Sequence, residues 1–212
     1  MRIHRFQRFM IIIGLAFSLT IALLLIFDKM IYGFLAVPTN RVDAQVLVVE
    51  GWIPDYGIQA AAEEFRQGHY KMIATSGLCF SSDEPSSGSG SLASMTAARL
   101  AELGINPKII IACPTPDTNW NRTSSSARAV REQISKRGIT YSGINVVTIG
   151  PHARQTWLAY RRIMGPGVRV GIITVPKQGV NTDHWWTSAH GIKMVAKDSA
   201  GWLKEVLFGY RH

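Results

Sequence analysis

The sequence predicts an α/β fold: a Rossmann-like, open parallel sheet of about five strands with helices on both faces, preceded by one N-terminal transmembrane helix. Two observations lead to this prediction. From residue 42 onward, short runs rich in β-branched residues alternate with amphipathic helical patterns, as in βαβ units. Before that point, residues 9–27 form an apolar run without a charged residue. We therefore expect a cytoplasmic tip, anchor and linker at 1–41 and one folded domain at 42–212.

The apolar run at residues 9–27 has the length of a membrane span. A helix of that length, rising ~1.5 Å per residue, is about 28 Å long, close to the ~30 Å hydrocarbon thickness. A cleaved signal peptide usually has a shorter apolar region and a small-x-small site, which residues 28–36 do not offer. Because Arg2, Arg5 and Arg8 precede the run, the positive-inside rule keeps the N-terminus cytoplasmic. The sequence thus predicts a single-pass protein of a bacterial inner membrane with a periplasmic domain.

Five short apolar runs with turn-forming residues at their ends predict the strands. They lie at residues 45–49, 71–75, 108–112, 145–149 and 168–175. A Ser/Gly-rich stretch from Gly77 to Gly90 follows the second run and predicts either a mobile lid or a solvated loop.

Apolar residues at helical spacing predict the helices between these strands. The first helix has its apolar face around Ala61, the second spans 92–103, and Ser124 is expected to cap the third. The fourth begins near Ala153. A last helical region is rich in tryptophan and is expected to break at two glycines; the residues concerned are Trp185, Trp186, Trp202, Gly191 and Gly201.

The net charge of +9 is divided between the two parts of the chain. Five basic residues and one acidic residue leave +4 in residues 1–41, and the domain carries the remaining +5. This modest excess fits attraction to anionic lipid headgroups or to phosphorylated ligands. Nucleic-acid-binding proteins usually concentrate basic residues in a stripe, which this sequence lacks, so we expect no nucleic-acid partner.

Motifs for several common chemistries are missing from the sequence. It contains no GxGxxG, no GxxxxGKS or GxxxxGKT, no HExxH, no CxxC and no GxSxG. We therefore expect no nucleotide cofactor, no metal site and no α/β-hydrolase elbow. Cys79 and Cys113 are the two cysteines. An oxidising compartment would permit a disulfide between them, and free buried thiols are the alternative.

Small and polar residues follow the predicted strands. The carboxyl ends of parallel strands meet at one edge of the sheet, beside helix N-termini, and ligands of open α/β sheets bind there. Hydroxyls, amides, a histidine and an arginine at that edge suit an anion, particularly a phosphate. The predicted ligand-binding residues are Gly51, Trp52, Ser76, Gly77, Asn121, Thr123, Ser124, Thr148, His152 and Arg154.

Short segments at residues 43–51, 73–77 and 147–154, together with Thr123 and the helix after it, occur in a characteristic order. The last of them places a threonine, a histidine and an arginine at a strand end, at Thr148, His152 and Arg154. In this order and spacing the chain resembles the SanA/ElyC/YdcF family, which contains the domain of unknown function numbered 218. The chain departs from the family's usual Gly-Gly after the first strand, where Glu50-Gly51-Trp52 stands.

The resemblance implies a Rossmann-like domain tethered by an N-terminal anchor. It also implies a role in cell-envelope biogenesis, in peptidoglycan or lipid-carrier metabolism. Some members of the family are said to bind S-adenosylmethionine, but a periplasmic domain would rarely meet that molecule, so we expect no cofactor. The resemblance brings no settled reaction.

The sequence leaves three hypotheses for function. In the first, the domain binds a phosphorylated ligand, with a polyprenyl-linked phosphate as one candidate, beside the lipid of the inner membrane. In the second, it hydrolyses a phosphoester or glycosyl phosphate, with His152 as general acid or base because its ordinary pKa of ~6.5 suits proton transfer. In the third, it is a non-catalytic scaffold that uses its basic face and an exposed patch of the tryptophan-rich tail to bind an envelope protein partner.

Overall fold

The computed structural model of the chain describes residues 10, 13–15, 17–19, 30–80, 90–116 and 120–209. Strands and helices alternate along them in the order β1 (Val46–Glu50), α1 (Asp55–Gln67), β2 (Met72–Leu78), α2 (Leu92–Glu102), β3 (Ile110–Thr115), α3 (Arg122–Lys136), β4 (Gly143–Ile149), α4 (Ala153–Met164), β5 (Arg169–Val175) and α5 (Ala189–Phe208). Short 3-10 helices precede β3, α4 and α5, at Pro107–Ile109, Gly150–His152 and Thr182–Thr187.

The described residues form one five-stranded sheet in the order β3-β2-β1-β4-β5, and every pair of neighbouring strands is parallel. This confirms the predicted α/β fold with a parallel sheet of about five strands. The chain runs outward from β1 to β2 and β3 and then returns to the other side of β1 to form β4 and β5. The loops after β1 and β4 therefore leave in opposite directions, which opens a crevice at the carboxyl ends of these two strands.

Both faces of the sheet are buried under helices. Val46 and Val48 of β1 belong to a core cluster with residues of α3 and α4. Leu47 and Val49, which point the opposite way, belong to a second cluster with residues of α1 and α2. All four side chains are fully buried, as expected for a central parallel strand with helices on either side.

Strands β2 and β3 are longer at their carboxyl ends than the apolar runs predicted. The ladder between them continues through the pairs Gly77 with Pro114 and Leu78 with Thr115. Proline cannot donate a ladder hydrogen bond, but β3 is an edge strand and tolerates it. Backbone pairing thus extends both strands past the point where their apolar character ends.

Two local predictions about helices were wrong. Ser124 does not cap α3, because this helix begins at Arg122 after the N-cap Asn121, and the Ser124 hydroxyl donates instead to Glu205. Gly191 and Gly201 do not break the last helix, since α5 runs without interruption from Ala189 to Phe208. A Cβ atom at Gly201 would meet the carboxamide end of the Gln155 side chain on α4.

Residues 30–42, here called the N-terminal belt, are packed on the domain. Residues 30–35 are helical, and Leu35 is fully buried in a cluster with Trp185 and Val195. Asn40 then pairs with Ile172 through two backbone hydrogen bonds of 2.8 and 2.9 Å, which covers the free edge of β5. The boundary predicted between residues 41 and 42 is therefore too late, because the expected linker is part of the fold.

Within the described ranges, there is no helix whose length and hydropathy suit a membrane span. The predicted anchor at residues 9–27 lies mostly outside these ranges, and so does most of the predicted lid or loop, at residues 81–89. Both stay predictions.

Cys79 and Cys113 both lie in described segments and are free thiols. Cys113 is fully buried in β3. Burial raises the pKa of its thiol to about 12, so it stays protonated and unreactive at neutral pH. Of the two states that the sequence left open, the free thiols are the one observed.

The packing of the N-terminal belt predicts that its removal from the core is costly. Replacing Leu35 by alanine should lower the free energy of unfolding by about 2–5 kcal/mol, because a fully buried leucine leaves a cavity. The measurement is urea unfolding of the full chain in detergent. Met95→Ala is the matched control, since Met95 is exposed and should change stability by less than about 0.5 kcal/mol. If the two variants unfold alike, the belt is not part of the core.

Candidate functional site

A cavity of about 420 Å³ lies at the carboxyl ends of β1, β2 and β4, where the order of the strands reverses. The first turn of α3 and one side of α5 complete its walls. The lining residues are Glu50, Trp52, Ser76, Gly77, Leu78, Leu92, Asn121, Arg122, Thr123, Ser126, His152, Gln155, Lys197, Asp198, Gly201, Lys204 and Glu205.

Two glycines at the strand ends allow the backbone to pack closely behind this cavity. The N–H of Gly51 donates to the carbonyl of Ser76 at 2.6 Å. A Cβ atom at Gly51 would lie 2.6 Å from that same carbonyl oxygen, and one at Gly77 would lie 2.6 Å from Cβ of Leu92. Any side chain at either position would push α2 away from the strands. Both glycines are therefore needed for α2 to pack closely against the strand ends.

Glu50 ends β1 and is a buried carboxyl group at the floor of the cavity. Thr148 donates to its Oε2 at 2.5 Å, and Thr156 donates to both carboxyl oxygens at 3.2 Å. Burial raises the pKa of Glu50 above its ordinary value, although His152 and hydrogen bonds from Thr148, Thr156 and Trp52 counteract the rise. The group is therefore held in place by hydroxyls and takes up a proton more readily than an exposed glutamate.

His152 lies beside Glu50 and is held from two sides. Its Nδ1 is 3.1 Å from Oδ1 of Asp198, and its ring meets Trp52 edge-on with 4.8 Å between the centroids. Burial is the largest influence on the pKa of His152 and lowers it, but the hydrogen bond to Asp198 and the charges of Glu50 and Asp198 together outweigh it. The pKa is therefore raised above 6.5, so the imidazolium form persists to a higher pH than in a free histidine.

Positive charge and helix N–H groups also line the cavity. Arg122, Lys197 and Lys204 all line the cavity. Asn121 precedes α3 with a left-handed φ of 51°, and within the described part of the chain its side chain caps none of the helix N–H groups. The first turn of α3 thus brings the positive end of the helix dipole to the same cavity as these side chains.

The third carboxyl group of the cavity, Glu205, is already neutralised by its neighbours. Ser124 donates to its Oε2 at 2.9 Å, and Nη1 of Arg162 lies 3.3 Å from its Oε1. Arg162 also donates to the backbone carbonyl of Glu205. This buried pair ties α5 to α3 and α4, and its acidic charge has a partner inside the protein.

The structure brings most of the predicted residues to one cavity. Among the described residues, six of the ten predicted line it: Trp52, Ser76, Gly77, Asn121, Thr123 and His152. Gly51, Thr148 and Ser124 lie directly behind the lining, where Gly51 packs on Ser76, Thr148 holds Glu50 and Ser124 holds Glu205. These three therefore position the site and do not line it.

Arg154 is the one predicted residue that lies elsewhere. Its guanidinium carbon is 3.8 Å from the centroid of the Phe34 ring, and its Nε donates to the backbone carbonyl of Phe34. Two positions along a helix differ by about 200°, so Arg154 points away from the side that His152 presents. The arginine contacts the N-terminal belt and leaves phosphate binding to other cations.

The sequence prediction missed the contribution of α5. Lys197, Asp198, Gly201, Lys204 and Glu205 line the cavity from one side of this helix. These residues are adjacent or lie three or four positions apart, so in a helix they form a polar stripe on one side. The tryptophans and aliphatic residues of the same helix dominate its pattern and conceal this stripe. Gln155 and Ser126, on α4 and α3, were missed as well.

Within the described ranges, no group of three or more His, Cys, Asp or Glu side chains is arranged to hold a metal ion. Fold and cavity together define a doubly wound parallel α/β protein with a polar ligand cavity at the reversal of its strand order. No family model, curated protein or solved structure matches the chain.

The Asp198 contact predicts how His152 titrates. In the wild type, the midpoint of the His152 ring signals should lie above 6.5, and Asp198→Asn should lower it, since the variant lacks the carboxylate that favours the imidazolium. NMR of ring-labelled histidine in the full chain measures both values. Asp43→Asn is the control, because Asp43 pairs with Arg169 at the amino ends of the strands.

The same shift has a consequence for stability. Because the folded-state pKa is raised, the stabilisation from protonated His152 is fully present below pH ~6.5 and is lost as the pH rises through the folded-state value. The free energy of unfolding should fall over that window in the wild type and change less in Asp198→Asn. An equal pH dependence in both proteins would contradict the contact.

Proposed function

We propose that this protein is a membrane-anchored envelope-biogenesis protein that binds a phosphorylated ligand in the cavity at the strand ends. A polyprenyl-linked phosphate is the first candidate. The observation that carries the proposal is that Arg122, Lys197 and Lys204 line the same cavity as His152 and the first turn of α3. Charge-assisted hydrogen bonds from cations and helix N–H groups are how proteins usually hold phosphate.

The three carboxyl groups of the cavity do not oppose anion binding. Glu205 is paired with Arg162, and Asp198 with His152. Burial raises the pKa of Glu50, which favours its neutral form. Lys197, Lys204 and His152 add positive charge to the same lining, and this sign favours a phosphate.

A second candidate function, hydrolysis of a phosphoester or glycosyl phosphate, is favoured by the Asp198–His152 pair. A carboxylate that accepts from Nδ1 orients the imidazole and leaves Nε2 as the nitrogen for proton exchange. In such a step, water would attack phosphorus, the P–O bond to the leaving group would break, and His152 would donate its proton to the departing oxygen. The remaining proton of the attacking water would stay with the released phosphate, on one of its oxygens.

The scaffold hypothesis is less well supported. It requires the tryptophans near the C-terminus to form an exposed patch. Trp185 is buried, and Trp186 and Trp202 are half-buried in a cluster with Leu35 and Val195. These tryptophans hold the N-terminal belt and lie neither in an exposed patch nor in the cavity lining.

The proposal predicts that ligand affinity depends on cavity cations. His152→Ala and Lys204→Gln should each weaken binding of a short-chain polyprenyl monophosphate about tenfold or more, the value of one charge-assisted hydrogen bond. Isothermal titration calorimetry of the full chain in detergent measures the affinities. The corresponding polyprenyl alcohol should bind far more weakly, because it offers nothing for the cations to hold.

Lys193→Gln is the matched control for this experiment. Lys193 is an exposed lysine on the same helix, outside the cavity lining, and its loss should leave the affinity unchanged. Equal affinity of the wild type and His152→Ala for the monophosphate would overturn the assignment of the site. Unfolding curves that coincide for all variants exclude misfolding as the cause of any loss.

The hydrolase candidate is tested by turnover. If it holds, the full chain should release inorganic phosphate from a polyprenyl diphosphate or an aryl phosphate, and His152→Ala should reduce kcat by about 10²–10⁴. Asp198→Asn should reduce kcat less and shift the pH profile to lower pH, because Asp198 raises the pKa of His152. Tight monophosphate binding without turnover in the wild type would restrict the function to binding.

A further inference from the structure

The outward surface of α5 is divided into two stripes. At about 100° per residue, its exposed apolar residues fall within about 80° of arc. This outer face of α5 consists of Ile192, Ala196, Ala200, Leu203 and Leu207, and the three large side chains among them are 49%, 49% and 58% exposed. Lys193, Lys204 and Lys197 occupy the next ~40° of arc, here called the lysine stripe. Beyond it lie Gly201, Asp198 and Glu205, which line the cavity.

The other side of the outer face meets the N-terminal belt. The Phe34 ring packs edge-on against Trp202 with 5.0 Å between centroids, and Leu35 packs in a cluster with Val195. Phe34 and Met30 are themselves 42% and 66% exposed. The apolar surface therefore continues from α5 onto the residues at which the predicted anchor joins the domain.

The chain length between anchor and belt fixes how far the bilayer can be from this surface. Only residues 28 and 29 separate the predicted anchor at 9–27 from the belt at Met30. An extended chain spans at most ~3.6 Å per residue. The last residue of the anchor therefore lies within roughly 11 Å of Met30. The anchor thus brings the lipid surface to the side of the domain that α5 and the belt form.

The apolar outer face of α5 and the neighbouring lysine stripe match the acyl and headgroup layers of a membrane surface. An apolar stripe suits the boundary of the acyl chains, and lysines beside it suit anionic headgroups. Leu203 and Leu207 would contact the acyl boundary while Lys193 remained at headgroup level, since long lysine side chains reach toward the charged layer. Two of the three lysines of the stripe, Lys197 and Lys204, also line the cavity.

We infer that the outer face of α5 rests on an anionic bilayer surface, with the lysine stripe at headgroup level, so that the cavity takes its phosphate group directly from a lipid in that bilayer. The inference deepens the proposed function and relies on it for the anchor and for the phosphate site. It adds the source of the ligand, a membrane lipid, and the element that faces the membrane.

The test places a reporter on the outer face of the full chain. Ala196→Cys, in a Cys79→Ser background, carries an environment-sensitive NBD label, and the protein is reconstituted into lipid nanodiscs. Phosphatidylglycerol-containing discs should shift the emission to the blue, and nitroxide-labelled lipids should quench it. A label at Glu63→Cys, exposed on α1 across the sheet, is the control and should stay unquenched.

Two variants separate docking from ligand binding. Leu203→Glu with Leu207→Glu should abolish the quenching at residue 196, and Lys193→Gln should lower the docked-to-undocked ratio about fivefold, the value of one lysine at an anionic surface. Neither variant alters a residue of the cavity lining, so both should bind the short-chain monophosphate in detergent like the wild type.

Each alternative result has its own meaning. Absence of lipid quenching at residue 196 in every disc overturns the inference, even where the monophosphate still binds. If lipids do not quench the label but the blue shift grows with the number of chains per disc, the outer face of α5 contacts a second copy of the chain. This result also overturns the inference. Quenching that persists while His152→Ala and the wild type bind the monophosphate equally supports docking and rejects the proposed phosphate site.

Discussion

The parallel pairing of β1 with both β2 and β4 is the constraint on which the rest of the structure depends. A strand in that position has its backbone satisfied on both edges and its side chains buried on both faces, so Val46 to Val49 are all fully buried. The chain must leave β1 toward one side and return on the other. This reversal opens the crevice, and Glu50, the last residue of β1, is therefore a carboxyl group at its floor.

A buried carboxyl group is costly unless hydrogen bonds and nearby charge support it. Thr148 and Thr156 supply the hydrogen bonds to Glu50, and His152 supplies positive charge. Asp198 in turn steadies His152, so one buried group accounts for a chain of neighbours that ends on α5. The cavity also carries Lys197 and Lys204, and this positive charge is why we favour phosphate binding over a scaffold role.

Helix α5 connects the cavity to the proposed membrane surface. Its inner side carries Asp198 and Glu205, and its outer face is apolar. The N-terminal belt packs beside that face through Phe34 and Leu35. With an anchor at residues 9–27, a single helix would form a wall of the site and set its distance from the lipid. Such an arrangement suits a protein whose ligand is a lipid phosphate.

Most of the fold could be predicted from local patterns, because alternation of apolar runs with amphipathic helices reports burial residue by residue. The sequence by itself determined the α/β class, the five strands and the placement of Ser76, Thr123 and His152 at the carboxyl-end edge of the sheet. Only the tertiary structure decided that α5 closes the cavity, since Asp198 meets His152 across 46 positions of sequence, and local periodicity carries no information at that range. For the same reason the sequence predicts a linker where the belt packs on the domain, and a ligand-binding role for Arg154, which contacts Phe34 instead. The direction of each side chain depends on which elements pack against it.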